Sequence, residues 1–178
     1  SNVTGTIVPI KEIVEIARKK NIPVLVDGCQ SAPHIKIDVR DLNCDFYAIS
    51  CHKVYGPTGV GILYAKKKWL DSLPPYIGGG GMISEVKKNK VTYAPLPEKY
   101  EAGTMPTAEV VAFNESINFM NSIGIENIIK HEKELTNYAL EKLKKINSVK
   151  IIGNPKNKAG VISFTIKGIH PHDISTIV

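Results

Sequence analysis

The sequence predicts an α/β protein in which helices pack on a sheet of buried strands. Three observations carry that prediction: a helical apolar repeat directly after Pro9, a short apolar run closed by Asp27, and two further apolar runs before residue 66. Helices alternating with buried strands pack as layers, and in such sheets ligands gather at the carboxyl ends of the strands. The polar residues at those ends are therefore the candidates for chemistry.

Ile10, Ile13, Val14 and Ala17 recur at i, i+3, i+4 and i+7, and Glu15 stands four residues before Lys19, so the segment after Pro9 is an amphipathic helix. Pro9 suits its first turn. Pro23-Val24-Leu25-Val26-Asp27 reads as a strand buried on both faces, as do Phe46-Tyr47-Ala48-Ile49 and Gly61-Ile62-Leu63-Tyr64-Ala65. Residues 74–106 hold Pro74-Pro75, Gly78 to Gly81, Pro95, Pro97 and Pro106 with little periodicity, which predicts a long irregular loop of the functional kind. Helix returns from about residue 107 and breaks near Gly124. Leu135, Ala139, Leu143 and Ile146 then mark a second helix. Val149 to Ile152 and Val161 to Ile166 read as strands around a turn at Gly153-Asn154-Pro155, and the sequence ends in the first turns of another helix. A domain seldom stops there, so a piece of a longer protein is expected.

Composition narrows the function. The 178 residues are 43% apolar and 22% charged, an ordinary globular balance without a run of the ~20 apolar residues that a membrane span needs. The net charge of +6 invites a nucleic-acid reading, but Arg18 and Arg40 are the only arginines and the lysines lie in scattered short clusters. Cys29, Cys44 and Cys51 lack the close pairing of a zinc site, so no metal is expected and reduced thiols are the default.

The densest chemistry lies between Asp27 and Gly61. Asp27 closes one strand, Gln30 follows, and Ser50-Cys51-His52-Lys53 closes the next before a Gly-rich turn. That turn is no phosphate loop of the G-x-x-x-x-G-K-[ST] type, because Ile62 and Leu63 follow Gly61. A Ser/His hydrolase lacks both the glycine-flanked elbow at Ser50 and an acid to orient His52. A lysine at one strand end with an acid on the neighbouring strand suits pyridoxal 5'-phosphate: the amine forms a Schiff base with the aldehyde, and the carboxylate keeps the ring nitrogen protonated.

Four blocks of the sequence, in order, resemble one family. Ser1-Asn2-Val3, Val24 to Gln30, Cys44 to Gly59 with its Ser50-Cys51-His52-Lys53-Val54-Tyr55-Gly56-Pro57 core, and Tyr100-Glu101-Ala102-Gly103-Thr104 are similar to the SufS-like cysteine desulfurases. The resemblance implies the aspartate aminotransferase-like fold of pyridoxal-phosphate-dependent transferases, with residues 1–105 the C-terminal part of the cofactor-binding large domain and 106–178 the start of an α+β small domain. It implies Lys53 as the lysine bonded to the cofactor aldehyde and the catalytic residue, Asp27 as the partner of the pyridine nitrogen, and Gln30 as a donor near the ring oxygen. Ser50 and His52 would hold the phosphate, Asn2 would sit by the ring and the substrate carboxylate, and Thr104 would reach the phosphate of a neighbouring subunit in a homodimer.

The implied reaction takes L-cysteine to L-alanine with a persulfide on an enzyme cysteine, and passes sulfur to an acceptor of the SufE/SufU type for iron–sulfur cluster assembly. The persulfide cysteine and the arginine for the substrate carboxylate are expected outside these residues, and the compartment is cytoplasm or an organelle stroma such as that of a plastid. Two departures stand out: Cys29 occupies a position where alanine is more usual, and Cys51 one where a small residue such as glycine is. Two alternatives stay open: a selenocysteine lyase or other enzyme of the same fold, and a non-enzymatic basic binding module.

Overall fold

Ile10–Arg18 form helix α1, as the repeat predicts, and its Val14 packs against Val26, Cys44 and Tyr47 of the layer beneath. A computed structural model describes residues 1–153 and 155–178, so Asn154, at the centre of the expected turn, lies outside the described residues. The strands β1, Leu25–Asp27, β2, Phe46–Ser50, and β3, Gly61–Ala65, make a sheet in the order β1-β2-β3. β1 and β2 run parallel while β3 returns antiparallel to β2, so the chain crosses from β1 to β2 through a connection and folds straight back into β3. Within that connection Asp38 caps the short helix α2, Val39–Leu42, accepting from the N–H groups of Arg40 and Asp41.

Within these residues the helix layer covers one face of the sheet. The register sets Val26 beside Tyr47 on the side covered by α1, and sets Leu25, Asp27, Ala48 and Leu63 on the other. On that second face Leu25 and Leu63 are 61% and 59% exposed. The apolar runs are continuous, but these residues place a helix layer over one side only. The covered side supplies the stability, at roughly 1.5–3 kcal/mol for each large side chain taken from water.

Residues 74–106 are also more ordered than their composition suggests. After helix α3, Lys67–Ser72, the hairpin β4, Ile83–Lys87, and β5, Lys90–Tyr93, stands within the segment, followed by a 3-10 turn at Glu98–Tyr100. All of β4 is exposed, so backbone pairing rather than a buried face holds the hairpin and no apolar alternation betrays it. The Lys99 ammonium and the Tyr100 hydroxyl both donate to the Leu70 and Leu73 carbonyls at the end of α3, which ties the segment down.

Helix α4, Thr107–Ile123, and helix α5, Ile125–Lys144, meet at Gly124, whose φ of 84° lies in the left-handed region that glycine enters without strain. α5 thus starts well before Leu135. β6, Val149–Ile152, pairs antiparallel with β7, Ser163–Ile166, and α6, Pro171–Ile177, follows. The N-terminal residues are drawn onto this end: Ala159 N–H donates to the Gly5 carbonyl, Ile7 N–H to that of Asn157, and the Lys158 ammonium to that of Thr4. No helix among the described residues is long and apolar enough to cross a membrane.

Candidate functional site at the ends of two strands

Parallel pairing of β1 with β2 brings the two polar strand ends side by side. Asp27 lies in register with Ala48, and Gly28 N–H continues the ladder by donating to the Ala48 carbonyl at 2.8 Å. Three residues beyond Ala48 the chain tightens into a 3-10 turn, Cys51–Lys53, which lifts His52 and Lys53 off the strand end into exposed positions. Cys51 points the other way, fully buried against Val54 and Phe113. This alternation within one tight turn separates the residue that anchors from the residues that face outward.

Asp27 is built to stay ionised. The Cys29 side chain and then the Cys29 N–H, which donates to Oδ1 at 3.0 Å, hold its carboxyl below the usual carboxylate range against the opposing cost of burial, and the Lys53 ammonium adds to their effect. Ser50 Oγ and His52 Nδ1 stand 3.0 Å apart, a hydroxyl and an imidazole paired at the mouth of β2. Lys53 enters no ion pair among the described residues, leaving its amine available.

The turn after Lys53 is fixed from α4. Tyr55 takes a φ of 58°, uncommon for a bulky side chain, and its carbonyl accepts a hydrogen bond from the buried Ser116 hydroxyl at 2.9 Å. Gly56 must lack a Cβ because one there would stand 2.6 Å from the Phe113 ring. Ser116 and Phe113 were not legible as site supports in the sequence, since nothing in a helical repeat tells which turn it will pack on.

The structure therefore brings together Asp27, Ser50, His52 and Lys53. Gln30 lies just beyond and lines, with Asp27, a cavity of about 460 Å³ that reaches Ser1 and the His34–Glu132 pair, whose Nδ1 and Oε1 are 2.7 Å apart. Asn2 is exposed on the N-terminal turn beside Ser1, and Thr104 is exposed beyond Gly103, whose N–H donates to the Gly80 carbonyl. Neither hydrogen-bonds the strand-end group among the described residues. Burial pushes the Cys44 and Cys51 thiols up, and the bond to Asp27 does the same for Cys29, so none of the three is set up as a thiolate nucleophile.

This donor set suits one kind of group. A free amine, an ionised carboxylate fixed by an N–H, and a hydroxyl–imidazole pair together match an aldehyde, a basic ring nitrogen and a phosphate. No cluster of three metal-ligating side chains occurs among the described residues.

Comparison with known proteins agrees with this chemistry. The Aminotransferase class-V family profile matches residues 1–178. A probable cysteine desulfurase of Halalkalibacterium halodurans is 47% identical over 178 residues, which are 100% of this chain and 44% of that protein. The structure of the cysteine desulfurase CsdA from Escherichia coli superposes with a TM-score of 0.92 at 34% identity, covering 99% of this chain and 44% of its own. A C-DES variant with glycine covalently linked to its PLP cofactor superposes with a TM-score of 0.84 at 26% identity, covering 97% of this chain and 46% of its own. The chain thus spans less than half the length of these relatives, and its mixed α/β architecture is that of the pyridoxal-phosphate-dependent transferases.

Proposed function

Because the chain belongs to the class-V aminotransferase family, we propose that the full-length protein is a pyridoxal-phosphate-dependent cysteine desulfurase that converts L-cysteine to L-alanine. The observation that carries the reading is the meeting of Lys53, Asp27 and the Ser50–His52 pair at adjacent strand ends. When bound, pyridoxal phosphate supplies a ring that draws electrons away from the substrate carbon.

The residues divide the remaining work. Lys53 Nζ is the catalytic amine and tethers the cofactor through its aldehyde. Asp27, already held ionised by the Cys29 groups, keeps a proton on the ring nitrogen, without which the ring is a poor electron sink. Ser50 Oγ and His52 donate to the phosphate, and Gln30 donates near the ring oxygen. Asn2 orients the ring and the substrate carboxylate, and Thr104 reaches the phosphate of a second subunit, which makes the enzyme a homodimer with shared sites.

In the same reading, residues 1–105 belong to the cofactor-binding large domain and 106–178 begin the small domain. The sulfur leaves as a persulfide on a cysteine other than Cys29, Cys44 and Cys51, and passes to an acceptor of the SufE/SufU type for iron–sulfur cluster assembly, as in the SufS-like group. The enzyme works in a soluble compartment, the cytoplasm or a plastid-like stroma.

A second reading has a specific observation behind it: a cystine C–S lyase, C-DES, in complex with cysteine persulfide superposes with a TM-score of 0.81 at 27% identity. Product analysis separates the two. The full-length protein with pyridoxal phosphate and a thiol reductant is expected to release alanine from L-cysteine. Pyruvate from L-cystine, supplied without reductant, in place of alanine from L-cysteine would mark a C–S lyase, and no turnover of any sulfur or selenium amino acid would refute both.

A further inference from the structure

Tyr47 does more than fill the core. It is 2% exposed, and its ring lies so close to Gly28 that a Cβ there would stand 2.1 Å from Cε1 and 2.4 Å from the hydroxyl. That hydroxyl is 2.6 Å from Ser31 Oγ, and Ser31 Oγ in turn donates to the Gly28 carbonyl at 3.1 Å. With the single Ser31 proton on the Gly28 carbonyl, the Tyr47 O–H donates to Ser31 Oγ and the three groups form one chain. Burial pushes the Tyr47 phenol up, which keeps that proton in place.

The relay ends on the residue that follows Asp27. The Gly28 carbonyl also accepts the Ser31 and Ala32 N–H groups at 3.0 and 2.9 Å, while the Gly28 N–H is spent on Ala48. Every polar atom of the Gly28 backbone is thus held, from the sheet on one side and from the turn on the other. The Tyr47 ring forms the floor and its hydroxyl the clasp. Tyr47 and Ser31 line the same cavity as Asp27 and Gln30, from beneath the turn that carries them.

We propose that Tyr47 and Ser31 are positioning residues that fix the height of the turn from Gly28 to Ser31, and through it set the Asp27 carboxylate and the Gln30 side chain against the cofactor. The inference rests on the function proposed above. It deepens that reading by giving the strand-end carboxylate a support from beneath the turn that follows it.

The test uses the full-length protein stripped of cofactor, and pyridoxal phosphate titrated back while its absorbance is followed. Tyr47→Phe keeps the ring on Gly28 and removes only the relay; cofactor affinity should fall by about three- to tenfold, the scale of one lost hydrogen bond. Ser31→Ala should weaken it equally, and the double variant should be no worse than either single one because both break one chain. Ser31→Thr, which keeps the hydroxyl, should restore most of the affinity. A lower melting temperature with unchanged cofactor affinity in both single variants would overturn the proposal, leaving Tyr47 a core residue only. If Tyr47→Phe fails to fold, Ser31→Ala at its half-buried site decides alone. A wild-type protein that takes up no cofactor would overturn the underlying function, and the inference with it.

Discussion

The Ser116 hydroxyl on α4 donates to the Tyr55 carbonyl at 2.9 Å, two residues past Lys53. Ser116 is buried, and Tyr55 holds a left-handed φ that the bond helps to sustain. A helix from the second half of the chain therefore sets the turn that presents the lysine. Ser116→Ala should cost about 1–2 kcal/mol, since it leaves a carbonyl poorly paired near the core. Chemical denaturation of the full-length protein measures this, and a loss below about 0.3 kcal/mol would show that water replaces the serine without penalty.

Asp27→Asn separates binding from chemistry. A neutral amide still accepts a hydrogen bond but cannot hold the ring nitrogen charged, so cofactor uptake should persist in weakened form while alanine release falls by about a hundred- to a thousandfold. Absorbance of the bound cofactor and product assay on one preparation check both halves.

Asp45 gives the fold an acid-sensitive point. Burial alone would raise its carboxyl, but the Trp69 indole N–H at 2.8 Å, the Val24 N–H at 3.0 Å and the ammoniums of Lys66 and Lys68 outweigh that and hold it below the usual range. A folded value below the unfolded one means that the contribution to stability is complete above about pH 4 and is lost as pH falls through the folded value. Asp45→Asn should therefore lower stability at neutral pH and flatten its fall in acid. Melting temperatures of both proteins across that range provide the comparison.

Gly28→Ala should be poorly tolerated. The added methyl meets the Tyr47 ring at 2.1 Å, and that ring is enclosed by the core, so about 1–3 kcal/mol is lost to overpacking. The second variant Tyr47→Leu, made in the Gly28→Ala background, should recover part of that stability. Failure to recover any would mean that the Gly28 backbone itself, rather than the ring, refuses a side chain.

Much of this arrangement was legible in the residues. Ile10, Ile13, Val14 and Ala17 announce α1, and Asp27 and Ser50 to Lys53 announce the strand ends, because burial periodicity and polar punctuation are local signals. The hairpin at Ile83–Tyr93 was not: its strands are mostly exposed, so no face is apolar, and the surrounding glycines and prolines mask it. α3 hid within Lys66-Lys67-Lys68, too short to show a stripe. At the site, Tyr47 read as one apolar residue in a strand and Ser116 as one small residue in a helix. Their partners lie 16 and 61 residues away in the chain, and only the packed fold brings them together.

Reductive trapping tests the central claim most directly. The full-length protein is incubated with pyridoxal phosphate, reduced with borohydride and digested, and the peptides are read by mass spectrometry. A pyridoxyl group on Lys53 and on no other lysine is the predicted result. A label on a different lysine, or none on a protein that is folded and saturated with cofactor, would contradict the assignment of the strand-end site.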